Sequence, residues 1–365
     1  MKVNQGIADL DDNAINMLFS FKVDDEVVST ADIDRIFQYA RRILDDSPFD
    51  RSDIWTATLE GNHAPMVDFI VRGDHAGFGS LMSSIATTPL VSGFMNYFPY
   101  QHLSVNHEAR RLEATQFIDK AFSLFGYLGL AKVYCPEQGF LDLSDFVDLL
   151  VGAFSVTGEQ IAPPQAAGGA YGFSTPIGVI ALKDVKSIAT AYKIQSIGKN
   201  FPFTKIAEIG GGLGFLAYYA SLLSRVGYYL YDIPTVSIMQ AYFLMRSLGP
   251  DKVFLYGEEQ SDTSVNVCPF WAIFDQDADS TLWVNQDSFP EIDPQIASKY
   301  LEHMAKFKSA GLLSINQEAA ADNLIGGAQT ILPHLISQHD SSFNRIWRCR
   351  DFLRAGYVEE FYKIN

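Results

Sequence analysis

The sequence predicts an α/β protein, with a doubly wound, Rossmann-like sheet over residues 163–365 behind a mainly helical domain over residues 1–162. Three observations predict it. From about Lys183 onward, short apolar runs alternate with helical periodicities, the mark of βαβ units. One such run ends in Glu208 and passes through Gly210, Gly212 and Gly214 into an apolar helix, and Asp232 closes the next run. Upstream, apolar residues recur instead at the three- and four-residue spacing of helices.

In the N-terminal region, Ile33, Ile36, Phe37, Ala40, Ile43 and Leu44 share one helical face. A second helix carries Leu112, Phe117, Ala121, Phe122 and Phe125, and a third starts near Ser144 as N-cap and buries Phe146, Leu149, Leu150 and Phe154. The aromatic cluster Tyr97–Tyr100 lies between them as expected core. Two prolines and three glycines within residues 161–172 then read as a linker or loop.

Beyond it the reading is a helix over about 183–197, a strand to Glu208 and a helix over about 215–224. A strand to Asp232 follows, then a helix from Pro234, where proline suits the first helical position, to about Leu248. Strands over 252–256, 281–285 and 311–316 come next, with Asp293-Pro294 capping a helix to about Phe307. Residues 343–348 and 357–362 read as a closing pair of strands. A terminal antiparallel pair matches the seven-stranded class I methyltransferase sheet, in which ligands sit beyond the carboxyl ends of the strands.

The glycine turn admits two cofactors. Gly212, Gly214 and Ala217 satisfy the dinucleotide form, with Asp232 twenty residues beyond Gly212. Glu208 with Gly210, Gly212 and Gly214 satisfies the form of an S-adenosylmethionine (SAM) site, an acid two residues before Gly-x-Gly-x-Gly. Glu208 favours SAM: a carboxylate at a strand tip repels pyrophosphate but suits the amino group and sulfonium of SAM. Asp232 then accepts from ribose hydroxyls and Ile233 packs on the adenine. An NAD(P)-dependent oxidoreductase is the first alternative, and a scaffold protein that keeps the fold without turnover is the second.

A net charge of −16 argues against a nucleic-acid partner, since no basic cluster exceeds Arg41-Arg42 or Arg110-Arg111. Cys135, Cys268 and Cys349 are far apart, so neither a disulfide framework nor a zinc cluster is indicated. No apolar run is long enough to span a bilayer, and residues 1–12 lack the pattern of a secretory leader, so the expected location is cytoplasmic, with no membrane partner. The triplet Asp275, Asp277 and Asp279 fails as a calcium loop because Ser280 replaces the turn glycine and Gln286 the bidentate glutamate; no metal is expected.

Several segments resemble the bacterial sugar O-methyltransferase family, over about residues 165–365. They are Glu-Ile-Gly-Gly-Gly-Leu-Gly at 208–214, Tyr-Asp-Ile-Pro-Thr-Val at 231–236, Val-Asn-Gln-Asp-Ser-Phe-Pro-Glu-Ile at 284–292, Leu-Leu-Ser-Ile-Asn at 312–316, and Arg-Ala-Gly-Tyr-Val-Glu-Glu-Phe-Tyr at 354–362. Leu213 and Ile292 depart from the family's usual aromatic residue and methionine. The resemblance implies methyl transfer from SAM to a hydroxyl of a sugar or glycosylated small molecule. Such a reaction needs an in-line acceptor and a base for the hydroxyl proton. Asp287 and Glu291 are the candidate bases, with Asn285 and Ser288 positioning the acceptor; Ser288 and Glu291 also read as a capping box. His303 reads as a partly exposed helical residue, while His334 and His339 flank an expected acceptor loop, and His102 and His107 border the aromatic cluster. The region 1–162 matches no family and is expected to cap the acceptor or to form a homodimer contact.

Overall fold

The computed structural model describes residues 2–3, 12–22, 28–46, 61–94, 107–130, 141–155, 158–164, 167, 169–259, 263–318, 330–339 and 342–365. The chain forms two units that do not follow the 162/163 division: Met1–Val27 with Ser83–Lys193, and Val28–Met82 with Ile194–Asn365.

The second unit is built on an eight-stranded sheet. Its helices begin with α1 (Thr30–Asp45), α2 (Ala64–Arg72) and α3 (His75–Ser83), and α4 (Leu182–Asn200) carries the chain into it from the first unit. The alternation follows: β1 (Lys205–Ile209), α5 (Phe215–Ser224), β2 (Gly227–Asp232), α6 (Pro234–Leu248), β3 (Val253–Leu255), β4 (Val265–Pro269) and β5 (Thr281–Gln286). It closes with α7 (Pro294–Met304), β6 (Gly311–Gln317), α8 (Leu332–Ile336), β7 (Phe343–Arg350) and β8 (Tyr357–Ile364).

The strand order is β7-β8-β6-β5-β1-β2-β4-β3. All pairs are parallel except β8 with β6 and β7 with β8, the expected terminal antiparallel pair. With edge strand β3 set aside, the remaining seven have the class I methyltransferase arrangement, the last strand lying antiparallel between its two predecessors. The eighth strand is the correction. The expected third strand, β3, lies at the edge, and β4, unread in the sequence, separates it from β2. Every residue of β4 is buried, so no alternation of polar and apolar residues marks it.

The connections reverse direction between β1 and β5, which opens a crevice beyond their carboxyl ends. Parallel strands covered on both faces form a dry core around fully buried Leu230, Val267, Leu282, Val284 and Leu313.

Helix α1 belongs to this unit rather than to a separate N-terminal domain. Its apolar face (Ile33, Ile36, Phe37, Tyr39, Ala40 and Ile43) is buried, and Ser29 caps its N-terminus by accepting from the Asp32 amide at 3.2 Å. Arg35 donates to both carboxylate oxygens of Glu258 at 2.6 and 2.5 Å, and also to the carbonyls of Pro250 and Val253. Glu258 in turn accepts from the Leu255 amide, and Arg42 donates to the Tyr256 carbonyl. This fork fixes α1 to the edge strand and the turn after it.

The first unit holds helices Asp12–Leu18, His107–Leu128 and Leu143–Ala153, and a three-stranded antiparallel sheet of Phe19–Lys22, Ala170–Thr175 and Gly178–Ile180. Part of the expected loop at 161–172 is thus strand. Gly172 is needed there because a Cβ would overlap the Ile180 carbonyl. Phe19, Phe117, Phe146 and Phe173 pack as one aromatic core with centroids near 5.5 Å. Asp142, not Ser144, occupies the N-cap of the helix carrying Phe146. Residues Tyr97–Tyr100 and His102 lie outside the described residues.

Candidate functional site

The glycine turn after β1 is shaped by what lies beneath it. Gly210, Gly212 and Gly214 have φ of 71°, 57° and 92°, the left-handed region that side chains avoid. A Cβ on Gly210 would overlap Ser288 Oγ, and one on Gly211 would meet Leu230 and Glu208 Oε2. Glu208 is buried, its Oε2 accepting at 2.8 Å from the hydroxyl of Tyr228 on neighbouring β2. Sequence spacing places Glu208 beside the turn; the structure places it under the turn.

Asp232 ends β2 and remains partly exposed at the crevice. The Ile233 amide donates to its Oδ1 at 2.9 Å, Gln240 Nε2 to its Oδ2 at 2.9 Å, and the Gly212 amide also donates to it. Burial, with the nearby charge of Glu208, nonetheless pushes its pKa up to about 8. Ile233, partly exposed, stands in extended conformation at the N-cap of α6. The groups assigned to SAM are thus gathered on two adjacent strand tips.

The β5 exit differs from expectation. Asn285 is fully buried, and its Nδ2 donates to the Ile209 carbonyl at 3.0 Å and to Ser288 Oγ at 2.6 Å. Its Oδ1 accepts from the Phe289 amide and from Asn316 Nδ2. Ser288 Oγ donates to the Ile209 carbonyl at 2.9 Å. These two side chains brace the β5 exit against the end of β1. The capping box is also absent: Ser288 makes no side-chain cap, and Glu291 bonds it through its backbone amide. The helix start at Asp293 is as expected, its carboxylate accepting from the Gln295 amide.

Asp287 follows with φ of 74°, left-handed for a non-glycine residue. Arg354 forms an ion pair with it and Tyr357 a hydrogen bond. The Arg354 guanidinium lies 4.0 Å over the Tyr357 ring and also bonds Asp351 at 3.4 Å. Because β8 runs antiparallel, its first residue, Tyr357, pairs with Gln317 at the carboxyl end of β6 and so reaches the same rim. Glu291, half-buried in the short turn Phe289–Glu291, has its pKa pushed up to about 7 by burial and by the Asp287 charge. In the sequence Arg354 and Tyr357 have no part in this cluster; 357–362 reads there only as a closing strand and 354–362 as part of the resemblance.

His303 is buried rather than partly exposed, edge-on to Phe274 and Trp283, and burial lowers its pKa. His334 is exposed, and His339 lies 3.4 Å from Ser298 Oγ. Asp277 and Asp279 accept from the amides of Asp279 and Lys308. Among the described residues no cluster of three or more His, Cys, Asp or Glu side chains is arranged to hold a metal, and no helix is long and apolar enough to cross a membrane.

No family model and no curated protein matches the sequence. Solved structures match about half of the chain. Mitomycin 7-O-methyltransferase MmcR is 15% identical with a TM-score of 0.37, over 50% of this chain and 57% of that enzyme, so the likeness spans little more than half of its length. An S-adenosylmethionine-dependent methyltransferase from Clostridium acetobutylicum is 11% identical with a TM-score of 0.37, over 49% and 92%. Magnesium protoporphyrin IX methyltransferase from Synechocystis, solved with bound SAH, is 12% identical with a TM-score of 0.33, over 49% and 84%.

Proposed function

We propose that this chain is a SAM-dependent O-methyltransferase acting on a hydroxyl group of a small molecule, with a sugar or glycoside as acceptor. The observation that carries the reading is the meeting of the glycine turn, Glu208 and Asp232 at the switch point of a sheet with a terminal antiparallel pair. The residues present fit SAM. Asp232 offers a partly exposed carboxylate to ribose hydroxyls, and three positive-φ glycines allow close approach of the backbone. Glu208 adds negative charge next to the turn, which favours a cationic ligand over pyrophosphate. The sugar rests on the resemblance of segments 284–292 and 354–362 alone.

When bound, SAM supplies a methyl group activated on a sulfonium centre. Glu291 is the base we assign. Its raised proton affinity suits it to accept a hydroxyl proton near neutral pH, where a carboxylate of ordinary pKa is a weak base. Asp287, held by Arg354 and Tyr357, takes a structural and electrostatic part, keeping negative charge beside Glu291. Residues of the 1–162 region are proposed to shape the acceptor site or a homodimer contact. Calorimetric titration with SAM, SAH and NAD(P)H tests the class. Micromolar binding of the first two with none of the third is expected; binding of NAD(P)H alone would replace this reading with an oxidoreductase.

A further inference from the structure

Gln240 stands in the second turn of α6, fully buried, with Leu244 one helical turn further on. Both face the glycine turn: the Gln240 amide bonds the Gly212 carbonyl at 2.8 Å, and a Cβ on Gly214 would press on Leu244. The same Nε2 donates at 2.9 Å to Asp232 Oδ2. One amide group therefore joins the two segments assigned to the cofactor, although neither contains it. Its Oε1 is buried with no hydrogen-bond partner among the described residues, an uncommon cost that packing alone does not require and that leucine or methionine would avoid. With its acceptor orphaned, what this side chain contributes is its donor, shared between the Gly212 carbonyl and Asp232.

We infer that Gln240 is a positioning residue for the cofactor, clasping the Asp232 carboxylate to the glycine turn so that both meet the same ligand. The inference rests on the SAM reading and adds to it a residue on a helix that carries no nucleotide-binding motif. Several charged or titratable groups surround Asp232: Glu208 on β1, Tyr39 on α1 and Tyr300 on α7. His63, at the N-cap of α2, bonds Thr235 three residues away. Gln240 differs from all of them in being a neutral donor that touches both the acid and the turn.

The test uses SAH as probe, with calorimetric titration of wild-type, Gln240→Leu and Gln240→Glu proteins between pH 6 and 9, each checked for a cooperative thermal transition. In wild type, ribose contact with ionised Asp232 makes affinity rise with pH. Gln240→Leu should bind about tenfold more weakly, one hydrogen bond to a charged group, with the rise displaced to higher pH because the acid has lost a donor. Gln240→Glu provides the sharper sign. A protonated Glu side chain at 240 can still donate to Asp232, whereas the ionised form repels it, so affinity should be largely kept at pH 6 and fall as pH rises. A variant that merely loosens the fold would lose affinity without reversing the slope. Folded Gln240→Leu and Gln240→Glu proteins with wild-type affinity and slope would overturn the inference alone. Wild-type protein that ignores SAH would overturn the cofactor reading and this inference with it.

Discussion

Two acidic clusters sit at the carboxyl ends of the strands, and different partners hold them. Beside the glycine turn, neutral donors hold Glu208 and Asp232: a tyrosine hydroxyl, backbone amides and the Gln240 side chain. At the exit of β5 a buried guanidinium holds Asp287, while Glu291 has no such cationic partner among the described residues. Neutral donors only partly offset the desolvation and the Glu208 charge that push the Asp232 pKa up to about 8, so its protonation can respond to what binds. A guanidinium instead fixes one charge and lets that charge act on a neighbour. The first arrangement suits recognition of a cofactor, the second the tuning of a base.

Variants can break that contrast in order of expected effect. Glu291→Gln should lower methyl transfer by about 10²–10⁴-fold, the usual contribution of a general base, while SAH affinity stays as in wild type. The wild-type rate should rise through about pH 7 as Glu291 ionises, and the residual rate of the variant should lose that rise. Near-normal turnover in the variant would remove Glu291 from the mechanism. At pH 9, where Asp232 is ionised, Asp232→Ala should weaken SAM and SAH by roughly 10- to 150-fold in calorimetry, the range for a charge-assisted hydrogen bond; unchanged affinity there would place the ribose acid elsewhere.

A third variant addresses the joint between the clusters, where Ser288 packs against Gly210. Gly210→Ala adds both a left-handed penalty and an overlap with Ser288, and should cost about 1–3 kcal/mol in denaturant unfolding. A neutral result would mean that the turn can relax. The smallest effect is the most diagnostic. Asp287→Asn removes one negative charge beside Glu291, so the midpoint of the pH–rate profile should fall below its wild-type value near 7. A midpoint that stayed in place would show that burial alone sets it.

The cofactor cluster was legible because it is nearly contiguous. The strand to Ile209, the turn, α5, the strand to Asp232 and α6 lie within residues 205–248, and their limits follow apolar runs, glycines and Pro234 almost to the residue. The second cluster was only half legible. Asp287 and Glu291 stand together in sequence, but Arg354 lies 67 positions from Asp287, and nothing local to either predicts the ion pair. Asn285 and Ser288 were read as positioning the acceptor, and sequence, which does not report burial, could not show that their hydrogen bonds run inward to Ile209. Gln240 was hidden for the opposite reason, a polar residue within an otherwise apolar helix whose register alone aims it at the turn. Segment 28–82 groups with residues 194–365 across the 162/163 division, and sequence could not show it because Arg35 finds Glu258 223 positions away.

That last separation sets the order in which the chain can assemble during synthesis. At translation rates of about 5–20 residues per second, roughly 10–45 s pass between the emergence of Arg35 and that of Glu258. For that interval α1 has an apolar face and no sheet edge to cover. The nascent chain must either shelter that face or leave the helix unformed until most of the protein has been made. Variants that strengthen α1 on its own are then expected to raise aggregation during expression while leaving the finished fold more stable.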